Sequence, residues 1–138
     1  MFHYIMKIKN IEPGVFKEVN FKVFGIKIFN IMKIKHIEDR EYKGLNFRIF
    51  NTEIFNASYQ YEDNNLHITG LYCEEQFRRY GMGTYVIRYI KNIVKENNKK
   101  TLSLDVNSTN DAAISCYEKN GFVCKSKDKK YYLMVCDV

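Results

Sequence analysis

An apolar run from Leu66 to Cys73 and a helical pattern reaching about Asn97 are joined by Arg78-Arg79-Tyr80-Gly81-Met82-Gly83-Thr84. Strand, glycine turn and helix start in that order set the local architecture and also prepare a site for an anion. The first turn of a helix carries backbone N–H groups without partners, and the aligned peptide dipoles put partial positive charge there. Gly81 and Gly83 let the backbone approach closely and take positive φ, while Arg78 and Arg79 add full charges, so phosphate is the natural ligand. Spacing removes two nucleotide readings. A Walker loop needs Gly-x-x-x-x-Gly-Lys-Ser/Thr, and no lysine follows Gly83. A dinucleotide fingerprint needs a third glycine where Val86 stands, and an acidic residue about 20 positions on, where Lys99 and Lys100 stand. Taken alone, the remaining Arg78-x-x-Gly81-x-Gly83 also fits a plain strand-to-helix turn.

A second punctuated segment follows. Thr101 to Val106 reads as a strand, and Asn110 to Gly121 as a short helix with Asn110 as N-cap and Asp111 at the positive end. Ala112, Ala113, Cys116 and Tyr117 form its three-and-four-spaced face, and Gly121 is the left-handed stop. Within the helix after the glycines, Val86, Ile87, Ile90, Ile93 and Val94 make an apolar stripe opposite Arg88, Lys91, Asn92 and Lys95, so that stripe faces a sheet.

With these pieces in order, the chain from about Asn65 to Val135 resembles the GNAT N-acetyltransferases. The likeness rests on the strand Leu66 to Cys73, the Arg/Gln-x-x-Gly-x-Gly/Ala turn at 78 to 83, Leu104-Asp105-Val106, Asn-x-x-Ala-x-x-x-Tyr at 110 to 117, Gly121-Phe122 and a closing strand Tyr131 to Val135. The resemblance implies an α/β, three-layer fold. Its mixed central sheet would have about six to seven strands, helices on both faces and two splayed central strands. It implies one domain over residues 1–138, with an acceptor-side half to about residue 65 and a coenzyme-binding half after it. The implied activity is transfer of an acetyl group from acetyl-CoA directly to a primary amine, small or protein-borne; the alternative is a non-catalytic coenzyme A-binding or protein-interaction module. By position, the backbones of Leu71, Tyr72 and Cys73 would hold the pantetheine arm. Arg78, Arg79, Tyr80, Gly81, Met82, Gly83 and Thr84 would cradle the diphosphate, and Asn110 and Tyr117 would meet the coenzyme.

Amine attack on a thioester passes through an oxyanion and expels a thiolate, so an acid for sulfur and a base for nitrogen are needed. Tyr117 is the candidate acid, since a phenol near pKa 10 is protonated at neutral pH; a core aromatic is its structural alternative. For the base, His67 titrates near neutrality, and simple alternation places it with Thr69, Leu71 and Cys73 on one strand face. Asp105 matches a position where some relatives carry a glutamate base; the third alternative is an amine that arrives neutral and needs only water. Cys73 falls where the thioester would lie, but direct transfer needs no thiol nucleophile. The Tyr131-Tyr132 pair resembles the aromatic end of some protein N-terminal acetyltransferases, although the turn between Lys125 and Lys130 is short for a hairpin that covers a peptide.

The region before residue 65 carries weaker signals. Phe2 to Ile8 reads as a strand, Pro13 to Val19 as a short helix, and Phe21 to Ile37 mixes both periods, with the Ile34-Lys35-His36-Ile37 run extended. Leu45 to Phe50 and Ile54 to Tyr61, joined at Asn51-Thr52, read as a hairpin.

Composition excludes disorder, with 46% hydrophobic and 15% aromatic residues. No apolar stretch is long enough for a membrane span, and the start of the chain has no secretory pattern, so a cytoplasmic setting is expected. The four cysteines form no C-x-x-C pair, and with three histidines no metal site is expected; Cys116 and Cys124 read as buried thiols. The net charge of +6 suits coenzyme phosphates as well as nucleic acid, but the lysines at 99, 100, 125, 127, 129 and 130 read as solvated turns and no nucleic-acid module is present. The partner expected is therefore an amine acceptor, with no nucleic acid and no membrane; a homodimer is left open.

Overall fold

The structure is a computed structural model that describes residues 22–23, 26–27, 32–39, 42–49 and 52–138. The expected strand at Phe2 to Ile8, the helix at Pro13 to Val19 and most of Phe21 to Ile31 lie outside the described residues; a short ladder pairs Lys22–Val23 with Ile26–Lys27. The rest builds one seven-stranded sheet: β1 (Met32–Glu38), β2 (Lys43–Ile49), β3 (Thr52–Glu62), β4 (Asn65–Cys73), β5 (Thr101–Asn107), β6 (Val123–Lys127) and β7 (Tyr131–Asp137), in the order β1-β2-β3-β4-β5-β7-β6. Only β4 and β5 run parallel, and they are bridged by helix α1 (Met82–Glu96). Helix α2 (Asp111–Lys119) links β5 to β6. The mixed sheet expected from the sequence is thus what the chain forms.

The hairpin expected between residues 45 and 61 is β2–β3, longer at both ends, with Thr52 already in β3 opposite Ile49. Among the described strands, β1 and β6 are the sheet edges. Lys125 and Lys127 lie on edge strand β6 and not in a turn; charged side chains on an edge oppose pairing with another chain. The β6–β7 turn is short. The Asp128 carboxylate accepts from the N–H of Lys130 at 2.7 Å and of Tyr131 at 2.9 Å, which holds its pKa below the usual range.

The apolar stripe of α1 packs on the sheet as expected, but it is wider than the aliphatic residues indicate. Tyr85 and Tyr89 are also buried, each edge-on to Phe47 of β2 with ring centroids 6.2 and 5.7 Å apart. The Tyr89 hydroxyl reaches His36 Nε2 at 2.7 Å, which gives the buried phenol a partner. A 15-residue helix is marginal alone, so this face decides its stability. Asn97 ends it, its side chain donating to the Ile93 carbonyl at 2.8 Å.

Helix α2 has no fully buried residue and depends on its ends. Asn110 Oδ1 accepts from Ala113 N–H at 3.2 Å, a cap worth about 1 kcal/mol, and Gly121 turns the chain out at φ +90°. Its inner face is Ala113, Ile114, Cys116 and Tyr117, with Ala112 exposed rather than packed.

Two features of β4 position the site. β4 pairs with β5 only from Asn65 to Ile68, opposite Thr101 to Leu104, yet it runs on to Cys73 beside β3; from Thr69 onward β4 and β5 have parted. At that point Ser58 faces Gly70 while Tyr59 faces Ile68, so Thr69 is the extra residue of a bulge. The bulge shifts the alternation by one. Leu71 and Cys73 therefore share the face of Leu66 and Ile68, and His67 lies on the other face, which corrects the simple alternation expected from the sequence.

Candidate active site

A cavity of about 690 Å³ opens beside the parted end of β4. Leu71 and Cys73 form its strand wall with Phe55, and Arg78, Arg79, Gly81, Met82, Gly83 and Thr84 its turn and helix start. Ala112, Ala113, Cys116, Tyr117 and Lys119 of α2 close it opposite.

The turn has the conformation an anion cradle needs. Gly81 is the left-handed N-cap at φ +85°, and the first helical bond runs from Tyr85 N–H to Gly81 O at 3.0 Å, so the amides of Met82, Gly83 and Thr84 have no intrahelical acceptor. Gly83 is not at positive φ; it lies in the helix. A Cβ there would stand 3.4 Å from Cys116 Sγ, so Gly83 serves the close approach of α2 to α1. Arg79 takes a left-handed φ of 68°, which nothing in the sequence pattern marks. Arg78 Nε donates to Cys73 O at 2.9 Å, and its guanidinium stands 5.6 Å from the Tyr72 ring centre, so the arginine ties the turn to the strand end.

Three expected coenzyme residues are not in the lining. Tyr72 and Tyr80 are exposed, and the Asn110 side chain is occupied as the α2 cap. Tyr72 lines a second cavity, of about 360 Å³, with Tyr42, Ile37 and Gly70. Phe55 and Lys119 were not singled out by the sequence. Lys119 could have been, because it stands three residues after Cys116 and seven after Ala112 on one helical stripe.

Tyr117 is both packed and open to the cavity. It packs on Phe122 with centroids 5.7 Å apart and also faces the cavity. Burial first, then the neighbouring Cys116, pushes its pKa up, so the phenol keeps its proton. Burial also pushes the Cys73 thiol up, against a smaller lowering by Arg78, which disfavours a thiolate there. All four cysteines are free, and Cys136 is the buried one; Cys116 and Cys124 are half-buried, contrary to the sequence expectation.

His67 and Asp105 do not line the cavity. They meet on the opposite sheet face where β4 and β5 part, with His67 Nε2 3.4 Å from Asp105 Oδ2 and His67 Nδ1 2.7 Å from Ser103 Oγ. Two candidates for one role thus form one unit, and Ser103, a small polar residue in an apolar strand, joins them. Among the described residues no group of three or more His, Cys, Asp or Glu could hold a metal, and no helix is long and apolar enough to cross a membrane.

The chain belongs to the acetyltransferase (GNAT) family, whose sequence pattern matches residues 47–122. It is 31% identical over 77 residues to N-alpha-acetyltransferase 50 of Danio rerio, a match spanning 55% of this chain and less than half, 46%, of that relative. The fold is similar to the ribosomal-protein-S18-alanine N-acetyltransferase from Escherichia coli, with TM-score 0.66 and 17% identity over 73% of this chain and 72% of that one. It is also similar to PaiA N-acetyltransferase from Thermoplasma acidophilum, solved in complex with coenzyme A, with TM-score 0.67 and 20% identity over 71% and 62% of the two chains.

Proposed function

We propose that this protein is an N-acetyltransferase that moves an acetyl group from acetyl-CoA to a primary amine, and that the amine is the N-terminal α-amine of a polypeptide. The observation that carries the reading is the parting of β4 and β5 directly over the cavity that runs from the Arg78–Thr84 turn to Tyr117. The protein residues suit such a donor in order. Unpaired amides at Met82 to Thr84 with Arg78 and Arg79 suit a diphosphate, the open edge of β4 from Thr69 to Cys73 suits the amides of a pantetheine arm, and Phe55, Leu71 and Ile87 suit its apolar stretches. Acetyl-CoA supplies the activated acyl group. Tyr117, on the cavity side, gives its proton to the departing sulfur, and Asp105, beside His67 on the other face of the gap, takes protons from the amine. The two reactants thus approach through the gap from opposite faces, which direct transfer requires. A protein α-amine is favoured by the likeness to an N-alpha-acetyltransferase.

The same proposal takes residues 1–138 as one domain, with no nucleic-acid partner, in a cytoplasmic setting that suits four free thiols. Isothermal titration with acetyl-CoA tests the donor. Gly81→Glu places a carboxylate in the cradle and should weaken binding at least tenfold, about 1.4 kcal/mol. Gly81→Ala, which carries only the strain of a left-handed alanine, about 1 kcal/mol, should bind nearly as wild type. Equal affinity of Gly81→Glu and wild type would sink the donor assignment. Thiol release from acetyl-CoA with peptides beginning Ala or Met tests the acceptor. Tight donor binding with no release on any amine would favour a non-catalytic coenzyme-binding module.

A further inference from the structure

Across β4 and β5 runs a line of hydrogen bonds whose direction follows from its chemistry. Asn65 Nδ2 lies 3.4 Å from Glu62 Oε2; a carboxylate only accepts, so the atom facing it is the amide nitrogen. The same NH2 group donates to Ser103 Oγ at 2.7 Å, while Thr101 Oγ1 donates to Asn65 Oδ1 at 2.8 Å. Ser103 is 5% exposed, and its other side-chain partner among the described residues is His67 Nδ1 at 2.7 Å. Of the two side-chain partners the Asn65 amide nitrogen only donates, so Nδ1 is the acceptor open to the Ser103 proton; a buried hydroxyl left without an acceptor would cost roughly 1–3 kcal/mol. Nδ1 is then bare, and the single hydrogen of the neutral ring sits on Nε2, the nitrogen that faces Asp105 Oδ2.

We propose that Ser103 locks His67 as the Nε2–H tautomer. His67 is thereby a positioning residue that holds the Asp105 carboxylate at the mouth of the β4/β5 gap, and Asp105 is the group that takes the protons of the acceptor amine. The role of Asp105 rests on the acetyl-transfer reading above; the tautomer rests on the hydrogen bonds alone. In this tautomer Nε2 carries a hydrogen and Nδ1 is engaged by a hydroxyl, so neither nitrogen has a free lone pair for the amine. Asp105 does: one oxygen faces Nε2–H at 3.4 Å, and its half-exposed side chain leaves the other for an ammonium group. The bound ammonium loses a proton through Asp105 to water. The nitrogen then bonds to the acyl carbon and loses its second proton by the same route. The carbon–sulfur bond breaks with its electron pair on sulfur, which takes the Tyr117 proton, and solvent restores that proton.

Nitrogen-15 spectra of the histidine rings test the lock. The chain has three histidines, and loss of one signal set in His67→Gln assigns the ring. The wild type should show a bare Nδ1 and a protonated Nε2 at neutral pH. Ser103→Ala should give an averaged signal of two tautomers, and Ser103→Thr, which keeps the hydroxyl, should restore one. A wild-type ring with its hydrogen on Nδ1, or a Ser103→Ala spectrum identical to wild type, overturns the lock. In thiol-release kinetics with a peptide amine, Asp105→Asn should lower kcat by about 10²-fold or more. His67→Gln, whose amide can still donate to Asp105, should keep most of the rate, and His67→Leu should not. A His67→Gln loss as large as that of Asp105→Asn overturns the division of roles. If the wild type acetylates no amine, the acetyl-transfer reading and the role of Asp105 fall together, while the ring spectrum still decides the lock.

Discussion

Tyr117 shows how a single side chain can be packed on one side and face a cavity on the other. Its ring packs at a tilt against Phe122 while the cavity reaches it, and the burial that packs the ring is also what keeps the phenol protonated. Tyr117→Phe removes only the hydroxyl, so acetyl-CoA affinity by titration should be unchanged while kcat falls roughly 10- to 100-fold; an unchanged kcat would remove Tyr117 from the mechanism. Because its pKa lies above the ordinary phenol value near 10, kcat measured from pH 7 to 9 should show no decline that disappears in Tyr117→Phe. The aspartate and histidine candidates were also legible from their chemistry and strand positions. Their partnership was not, because it depends on β4 and β5 lying side by side, with His67 opposite Ser103 across 36 residues of chain.

At the scale of elements, the bulge in β4 decides which of its residues meet the cavity. It places Leu71 and Cys73 on one face and His67 on the other, and Gly70 is part of how it fits: a Cβ at Gly70 would stand 2.9 Å from Ser58 Oγ, which also accepts from Thr69 Oγ1 at 2.9 Å. Gly70→Ala should therefore destabilise the chain by about 1 kcal/mol in urea unfolding, and Ser58→Ala in the same chain should restore part of that loss. Strict additivity of the two changes would show that the contact carries no energy. No period-two pattern could have announced this bulge, since one inserted residue leaves the composition of the strand unchanged. Helices α1 and α2, in contrast, were readable nearly to their ends because caps and apolar stripes are local signals: Asn110, Gly121 and Asn97 stand where the chain turns.

For the whole molecule, the core among the described residues is one apolar cluster, and the phenols of Tyr59, Tyr85 and Tyr89 are buried in it. Burial pushes Tyr59 and Tyr85 well above the ordinary phenol range and Tyr89 to about 12. The unfolded chain releases these protons near pH 10 and the native one holds them, so their contribution to stability is whole below pH 10 and lost as pH rises beyond it, at about 1.4 kcal/mol per pH unit for each phenol. Urea midpoints should fall steeply between pH 10 and 11, and less steeply in Tyr89→Phe; a flat profile would mean the phenols are not buried in solution. The sequence by itself determined the strand–turn–helix order, the helix ends and the family resemblance, because each is written in neighbours a few residues apart. Only the tertiary structure decided that β4 parts from β5 at Ile68, that the bulge separates His67 from the cavity side, and that His67 is hydrogen-bonded to Ser103 with Asp105 3.4 Å from its other ring nitrogen. The physical reason is that strand register and face are set by pairing between segments distant in sequence, which no local pattern encodes.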